Sequence, residues 1–168
     1  MKKLLVLFII FISLNIHAQN KKTLLREGNK LYADSSYNDA EMKYRKSLEN
    51  DQDYFNASFN LASAIYKQKR YSESSALFES LKDNSSNQKE LSKIYHNIGN
   101  SLFNEQKIDD AIENYKNALR INPNDEDTRY NLARAQQAKR NNQNKEEQNK
   151  EEQNKEEQNK EEQNKEEQ

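Results

Sequence analysis

The residue types that most often carry chemistry are sparse in this sequence of 168 residues, and their spacing argues against catalysis. His96 is the only histidine after His17, and there is no cysteine. It therefore has no nearby second imidazole or thiolate with which to hold a metal, and it reads as a surface imidazole facing a groove. Asp109 and Asp110 are adjacent carboxylates, but neighbours on a helix point about 100° apart. They read as a helix cap and a solvated face, not as an acid–base pair. The 2 glycines are too few for a phosphate-cradling loop, which needs several in a cluster. No nucleophile–base pairing can be read from the spacing. The expectation is a chain that is not an enzyme, with no catalytic or metal-binding residues, no cofactor and no small-molecule substrate.

The elements that carry the remaining residues emerge once the composition is divided. The chain is 33% hydrophobic and 33% charged, with a net charge of -1 and a mean hydropathy of -1.32, too polar for a uniform globule. Residues 1–18 have the layout of a secretory signal peptide. Lys2 and Lys3 precede a run from Leu4 to Ile16 interrupted only by Ser13 and Asn15, and Ala18 precedes a cut before Gln19. The run is short of the ~20 apolar residues that span a bilayer, although an uncleaved leader would leave a membrane anchor. An exported, periplasmic protein is expected. With no cysteine after the run, a lipid anchor is excluded. At the other end, residues 141–168 form a polar tail that repeats NKEEQ five times from Asn144 to Gln168, contributing -5. It has no apolar residue to bury, but Glu146 stands four before Lys150, the favourable helical orientation, and the spacing recurs in each unit. The tail is expected to be disordered or a fluctuating helix. The middle, Gln19 to Gln143, carries +2 once the leader's +2 and the tail's -5 are removed, so net charge implies no nucleic-acid partner.

That middle repeats itself every 34 residues or so. Gly28, Ala62 and Gly99 are each followed twelve residues later by another small residue, Ala40, Ser74 and Ala111. Four further on stand the aromatics Tyr44, Phe78 and Tyr115, and three beyond those Ser47, Leu81 and Ala118. Three extra residues lie near Asn87 to Leu91, and a partial copy starts at Glu126 with Leu132 and Ala133 in the matching places. The physical sense is a helical hairpin in which small residues on facing helices let the backbones approach and large ones fill the flanks. Asn38, Ser72 and Asp109 are expected to cap the second helices, and Pro123 to end the third hairpin. One hairpin cannot bury its apolar face alone, so three must stack.

The pattern resembles the tetratricopeptide repeat (TPR) family, above all in NLASAIYKQKRYSESSALFESL and NIGNSLFNEQKIDDAIENYKNALRINPND. The resemblance implies an all-α fold: an α-solenoid of three hairpins, at residues 21–54, 55–88 and 92–125, and a solvating C-terminal capping helix at 126–140. Glu27 departs from the family, which favours an apolar residue there, and only the third repeat has the closing proline. The family places ligand contacts on the first helix of each hairpin. Carried onto this sequence, one line is Arg26, Asn60, Asn97 and Asn131, the next is Asn29, Ser63, Asn100 and Arg134, and deeper come Tyr32, Tyr66 and Phe103. Amides both donate and accept, so such a ladder suits an extended peptide, while the rings offer apolar anchoring or pack between repeats. The amides could equally be a hydrogen-bonded ladder that stabilises the stack. A two-carboxylate clamp of some TPR domains is matched by Asn29, Asn60 and Lys93 but not by Leu25 and Asn97, so chaperone C-termini are not the expected ligand.

The order of leader, three repeats, NPNDEDTRYNLARAQ and a Gln/Asn/Lys/Glu-rich tail also resembles the TPR-containing Bacteroides aerotolerance (Bat) proteins. That resemblance implies a cell-envelope scaffold linked to stress tolerance, whose partner is a protein or peptide of a membrane-associated neighbour bearing a von Willebrand A domain, with an AAA-type ATPase nearby. The alternative is a structural spacer or a periplasmic TPR adaptor unrelated to aerotolerance.

Overall fold

The computed structural model describes residues 21–49 and 51–166, with side chains as far as 154. The expected leader at 1–18 lies outside the described residues. Helix α1 occupies 21–33. It is followed by α2 (Tyr37–Leu48), α3 (Phe55–Lys67), α4 (Tyr71–Ser80), α5 (Gln88–Asn104), α6 (Ile108–Ile121) and α7 (Glu126–Glu166). There is no strand among the described residues. Each helix packs chiefly against its neighbours in sequence, α1 with α2, α3 with α4, α5 with α6, and the first helix of each pair against the second helix of the pair before it.

The core is consequently a row of three small clusters, each closed by a hairpin and the helix that follows it. The first gathers Ala40, Tyr44, Leu61, Ala64 and Ile65. Ala62, Phe78, Leu81, Ile94 and Ile98 form the second, and Ile108, Ala111, Ile112, Tyr115 and Ala135 the third. Leu77 packs on the first two clusters and Leu102 on the last two, so these leucines knit the repeats together. Such nearest-neighbour packing is what makes a solenoid quasi-one-dimensional.

Three identical turns set the hairpin geometry. Ser35, Lys69 and Gln106 have φ of 60°, 63° and 64°, the left-handed conformation that ends many helices. Around each, two backbone bonds close the helix end: Ser35 N to Tyr32 O (3.1 Å) and Ser36 N to Leu31 O (2.9 Å), with counterparts at Lys69–Arg70 and Gln106–Lys107. The next helix starts at once, at Tyr37, Tyr71 and Ile108. The expected caps Asn38, Ser72 and Asp109 therefore stand two residues too late. The cap positions are Ser36, Arg70 and Lys107, none with a side-chain cap bond; Arg70 and Lys107 have no side-chain acceptor to offer. Asp109 instead sits in the first turn of α6, where its charge complements the helix dipole.

The extra residues near Asn87 lengthen α5 at its start. The Asn87 side chain caps the Glu90 amide at 3.0 Å, and Glu90 in turn accepts from the Ser86 amide at 2.9 Å. α6 stops at Ile121, just before Pro123. The closing helix does not stop near Arg140; α7 continues to Glu166, and residues 140–154 are exposed. Ala133, in the small-residue place of a fourth repeat, is exposed because no further helix covers it, whereas Ala135 and Thr128 are fully buried against the third hairpin.

The two glycines mark the tightest approaches. A Cβ at Gly28 would lie 2.5 Å from Tyr44 Cε1, and one at Gly99 2.6 Å from Tyr115 Cε1. The middle repeat carries Ala62 there, buried like the glycines, with Phe78 in place of tyrosine. Alanine gains about 1 kcal/mol over glycine in helix propensity, but overpacking costs about 1–3 kcal/mol, and rings of 1–2% exposure have little room to yield. Gly99→Ala is thus expected to destabilise the protein by about 1–2 kcal/mol in urea unfolding. A stabilised variant would show that the ring is free to move.

Candidate functional site

The first helices α1, α3, α5 and α7 turn one stripe each toward a shared groove. On α1 the stripe holds Arg26 and Asn29, on α3 Asn60 and Ser63, on α5 Asn97 and Asn100, and on α7 Asn131 and Arg134. The spacings of three and four residues put them on one face of each helix. All are exposed or half-buried.

The amides are not equivalent. Asn29 Oδ1 accepts from Tyr44 Oη at 2.9 Å and from Asn60 Nδ2 at 2.8 Å. Two repeats on, Asn100 Oδ1 accepts from Tyr115 Oη and from Asn131 Nδ2, both at 2.9 Å. Each tyrosine ring lies against the glycine beside its asparagine, and its hydroxyl reaches that asparagine at the groove floor. Burial pushes the Tyr44 hydroxyl up to about 12 and raises that of Tyr115 as well, so both stay protonated donors at any pH near neutrality. With its oxygen engaged twice, each asparagine has its NH₂ left to turn outward, and Asn60 and Asn131 keep a carbonyl oxygen. Among the described residues neither group has another partner. Each station therefore offers one donor and one acceptor, the complement of a single peptide unit.

The middle repeat breaks the pattern. Phe78 has no hydroxyl, Ser63 is too short to reach across, and Ser63 Oγ bonds its own helix at Phe59 O (2.9 Å). Asn97 likewise turns its Nδ2 back to Lys93 O at 2.9 Å. Of the expected amide ladder, then, Asn29 with Asn60 and Asn100 with Asn131 are brought together, and Asn97 is not.

The deeper rings pack within their own hairpins. Tyr32 meets Tyr37 edge-on at 5.3 Å and Tyr66 meets Tyr71 at 5.4 Å, each across the left-handed turn. Phe103 packs on the third core cluster and lies under the Arg134 guanidinium at 5.3 Å, which also faces Tyr130 at 5.9 Å. Asn104 joins the groove by donating to Tyr66 Oη at 3.0 Å. Arg26 stands exposed at the groove's first helix. Asn29, Tyr32, Tyr44, Asn60 and Ser63 line a cavity of about 170 Å³. Tyr44, Tyr115 and Asn104 were missed in the sequence. The signal for the tyrosines was present: Gly-Asn occurs with Tyr in two repeats, and Ala-Ser with Phe in the third.

A model described as tetratricopeptide repeat matches residues 25–89, and another described as TPR repeat matches 99–139, together more than half of the chain. The chain is a tetratricopeptide repeat protein. Among solved structures, the first TPR domain of Spaghetti (RPAP3), bound to the HSP90 peptide SRMEEVD, is similar at 25% identity. The match covers 71% of this chain and 93% of that one, with a TM-score of 0.65. The first TPR domain of human RPAP3 matches at 24% identity, covering 74% and 96%, with a TM-score of 0.67. The TPR2AB domain of yeast Sti1, in a complex with pHSP90, matches at 21%, covering 75% and 50%, with a TM-score of 0.66. No curated protein matches the sequence.

His96 does not face the groove of this TPR array as a free surface imidazole. Its Nδ1 lies 2.6 Å from Thr128 Oγ1, and its ring is edge-on to Tyr115 at 6.2 Å. Thr128 is fully buried, and its amide is capped by Asp125 Oδ1 at 3.0 Å. The histidine thus ties α5 to the start of α7. Burial lowers its pKa from 6.5, against the opposing pull of Asp125 and Asp127. The unfolded chain therefore binds the proton more readily, and stability is lost as pH falls below about 6.5. We expect unfolding measured between about pH 7.5 and 5.5 to show this loss, and His96→Gln to flatten the slope over that window. An unchanged slope in the variant would assign the acid sensitivity to other groups.

Proposed function

We propose that this TPR protein is a binding scaffold whose groove grips an extended peptide segment of a partner protein at two stations, Asn29–Asn60 and Asn100–Asn131. The observation that carries the reading is the double use of each Asn29 and Asn100 oxygen. It leaves a fixed donor and a neighbouring acceptor turned to the groove, beside a cavity lined by Tyr32 and Ser63. The fold is one used for protein interaction, and the similar Spaghetti domain is bound to a peptide, which supports the ligand class. The chaperone tail itself is not carried over, since Leu25 and Asn97 stand where that clamp needs basic residues.

The place of action we propose is the cell envelope, on the strength of Lys2, Lys3 and the apolar run to Ile16. The resemblance to the aerotolerance proteins supports a membrane-associated partner with a von Willebrand A domain and a role in a stress-related complex. Export is checked by the N-terminus of the protein recovered from envelope fractions, expected at Gln19.

Peptides selected from a displayed random library on the immobilised protein test the groove. Asn29→Ala combined with Asn100→Ala is expected to weaken the selected peptides by about tenfold or more, the ~1.4 kcal/mol of two lost hydrogen-bonding stations, with the helical content of the variant unchanged. Selected peptides that bind the double variant as well as the parent would move the site elsewhere.

A further inference from the structure

Helix α7 is built like the first helix of a hairpin, but the chain does not turn back to cover it. In each complete hairpin the small residue of the first helix packs against an aromatic ring of the second: Gly28 against Tyr44, Ala62 with Phe78, Gly99 against Tyr115. Ala133 holds that place on α7 and is exposed, and the helix runs straight on to Glu166. Tyr130, one turn earlier, is 65% exposed; it and Met42 are the large apolar side chains left in solvent among the described residues. Both Tyr130 and Ala133 belong to a continuous stripe. Glu126, Tyr130, Ala133, Gln137, Arg140 and Asn144 follow one another at alternating intervals of four and three, and every one is exposed. At about 100° per residue this spacing keeps to one side of the helix. Thr128, Leu132, Ala135 and Ala138, which pack on the third hairpin, lie on the opposite side. The stripe therefore points away from the array.

Its charge is arranged so that the stripe matches itself in reverse. Glu126 and Arg140 stand at equal separations before and after Ala133, ~10 Å to either side at ~1.5 Å per residue. The Glu126 side chain is 89% exposed even with Arg129 at 3.4 Å, and Arg140 forms no ion pair among the described residues. We propose that the stripe is the contact of a homodimer, in which the α7 helices of two copies cross antiparallel at Ala133. The alanines let the backbones approach. Tyr130 of each copy covers the stretch from Ala133 to Gln137 of the other, and Glu126 of each meets Arg140 of the other. Such a self-complementary contact closes at two copies. A parallel crossing would instead set Glu126 against Glu126 and Arg140 against Arg140. The NKEEQ repeats have no apolar residue and extend beyond the crossing, so they add no seam. Asn131 and Arg134 lie to the side of the stripe, so pairing leaves both grooves open. On the peptide-binding reading above, which the dimer itself does not need, a partner carrying two copies of the bound segment gains from the raised effective concentration.

Sedimentation velocity on the full chain tests the dimer between ~5 and ~200 µM, because one helix per copy buries less than the ~1,200 Å² of a standard interface and association is expected to be weak. A monomer–dimer equilibrium is expected within that range at ~50 mM salt, shifting toward monomer as salt is raised. Ala133→Arg is expected to abolish the dimer. Arg140→Glu, which brings like charges together at both ends of the contact, is expected to weaken it about tenfold. Glu126→Arg combined with Arg140→Glu is expected to recover most of the affinity, since the two residues are too far apart on one helix to meet except across an antiparallel pair. All three positions are exposed, so the helical content of each variant is expected to match the parent. A chain that stays monomeric throughout leaves the stripe to a different protein and overturns the proposal. A dimer indifferent to Ala133→Arg has its interface elsewhere and overturns it too, as does a double variant no tighter than Arg140→Glu alone.

Discussion

The constraint on which the rest depends is the contact of a tyrosine ring with a glycine backbone. Where the first helix has glycine, the aromatic residue of the second helix lies directly on the backbone, within a distance that a Cβ would forbid. That approach draws the two helices of the hairpin together and buries the ring almost completely. It also fixes where the ring ends. The hydroxyl comes out one residue along from the glycine, at the asparagine, and the asparagine of the next repeat completes the station. A packing requirement in the core thus becomes a polar arrangement on the surface.

The middle repeat shows the same logic in another form. Ala62 carries the Cβ that the glycines lack, Phe78 turns toward Phe59 with centroids 5.2 Å apart, and Ser74 Oγ bonds Ala62 O at 2.9 Å. Ser101 then adds a buried contact to Ser74 at 3.2 Å. Hydroxyls here serve the joint between the first helices and the second ones, and the groove above is left without an amide station. The array therefore has two polar stations flanking a smoother centre.

The repeat period, the small and aromatic core positions and the all-helical solenoid were legible because they follow from spacing and side-chain size. Gly28, Ala40, Tyr44 and their counterparts all fall where that reading puts them. What spacing could not give was backbone conformation at residues with no preference for it. Ser35, Lys69 and Gln106 occupy left-handed positions that glycine would have advertised, and the caps were consequently placed two residues late. The roles of His96 and of the groove amides depended on contacts more than 30 residues apart in sequence, such as His96 with Thr128 and Asn60 with Asn29. Only the docked neighbour reveals these, because a polar residue on a helix face looks the same whether solvent or another amide meets it.

Helix α7 joins the two ends of the account. Asn131 and Arg134 face the groove, Thr128 and Ala135 seal the last core cluster, and the same helix then continues to Glu166, exposed over residues 140–154. Packing of its first turns supplies the nucleus that a wholly polar helix would otherwise lack. The claim that core tyrosines set the groove amides is tested most directly by a double-mutant cycle in unfolding free energy between Tyr115→Phe and Asn100→Ala. Coupling of about 0.5–1.5 kcal/mol is predicted, the worth of one hydrogen bond. Strict additivity of the two changes would contradict it.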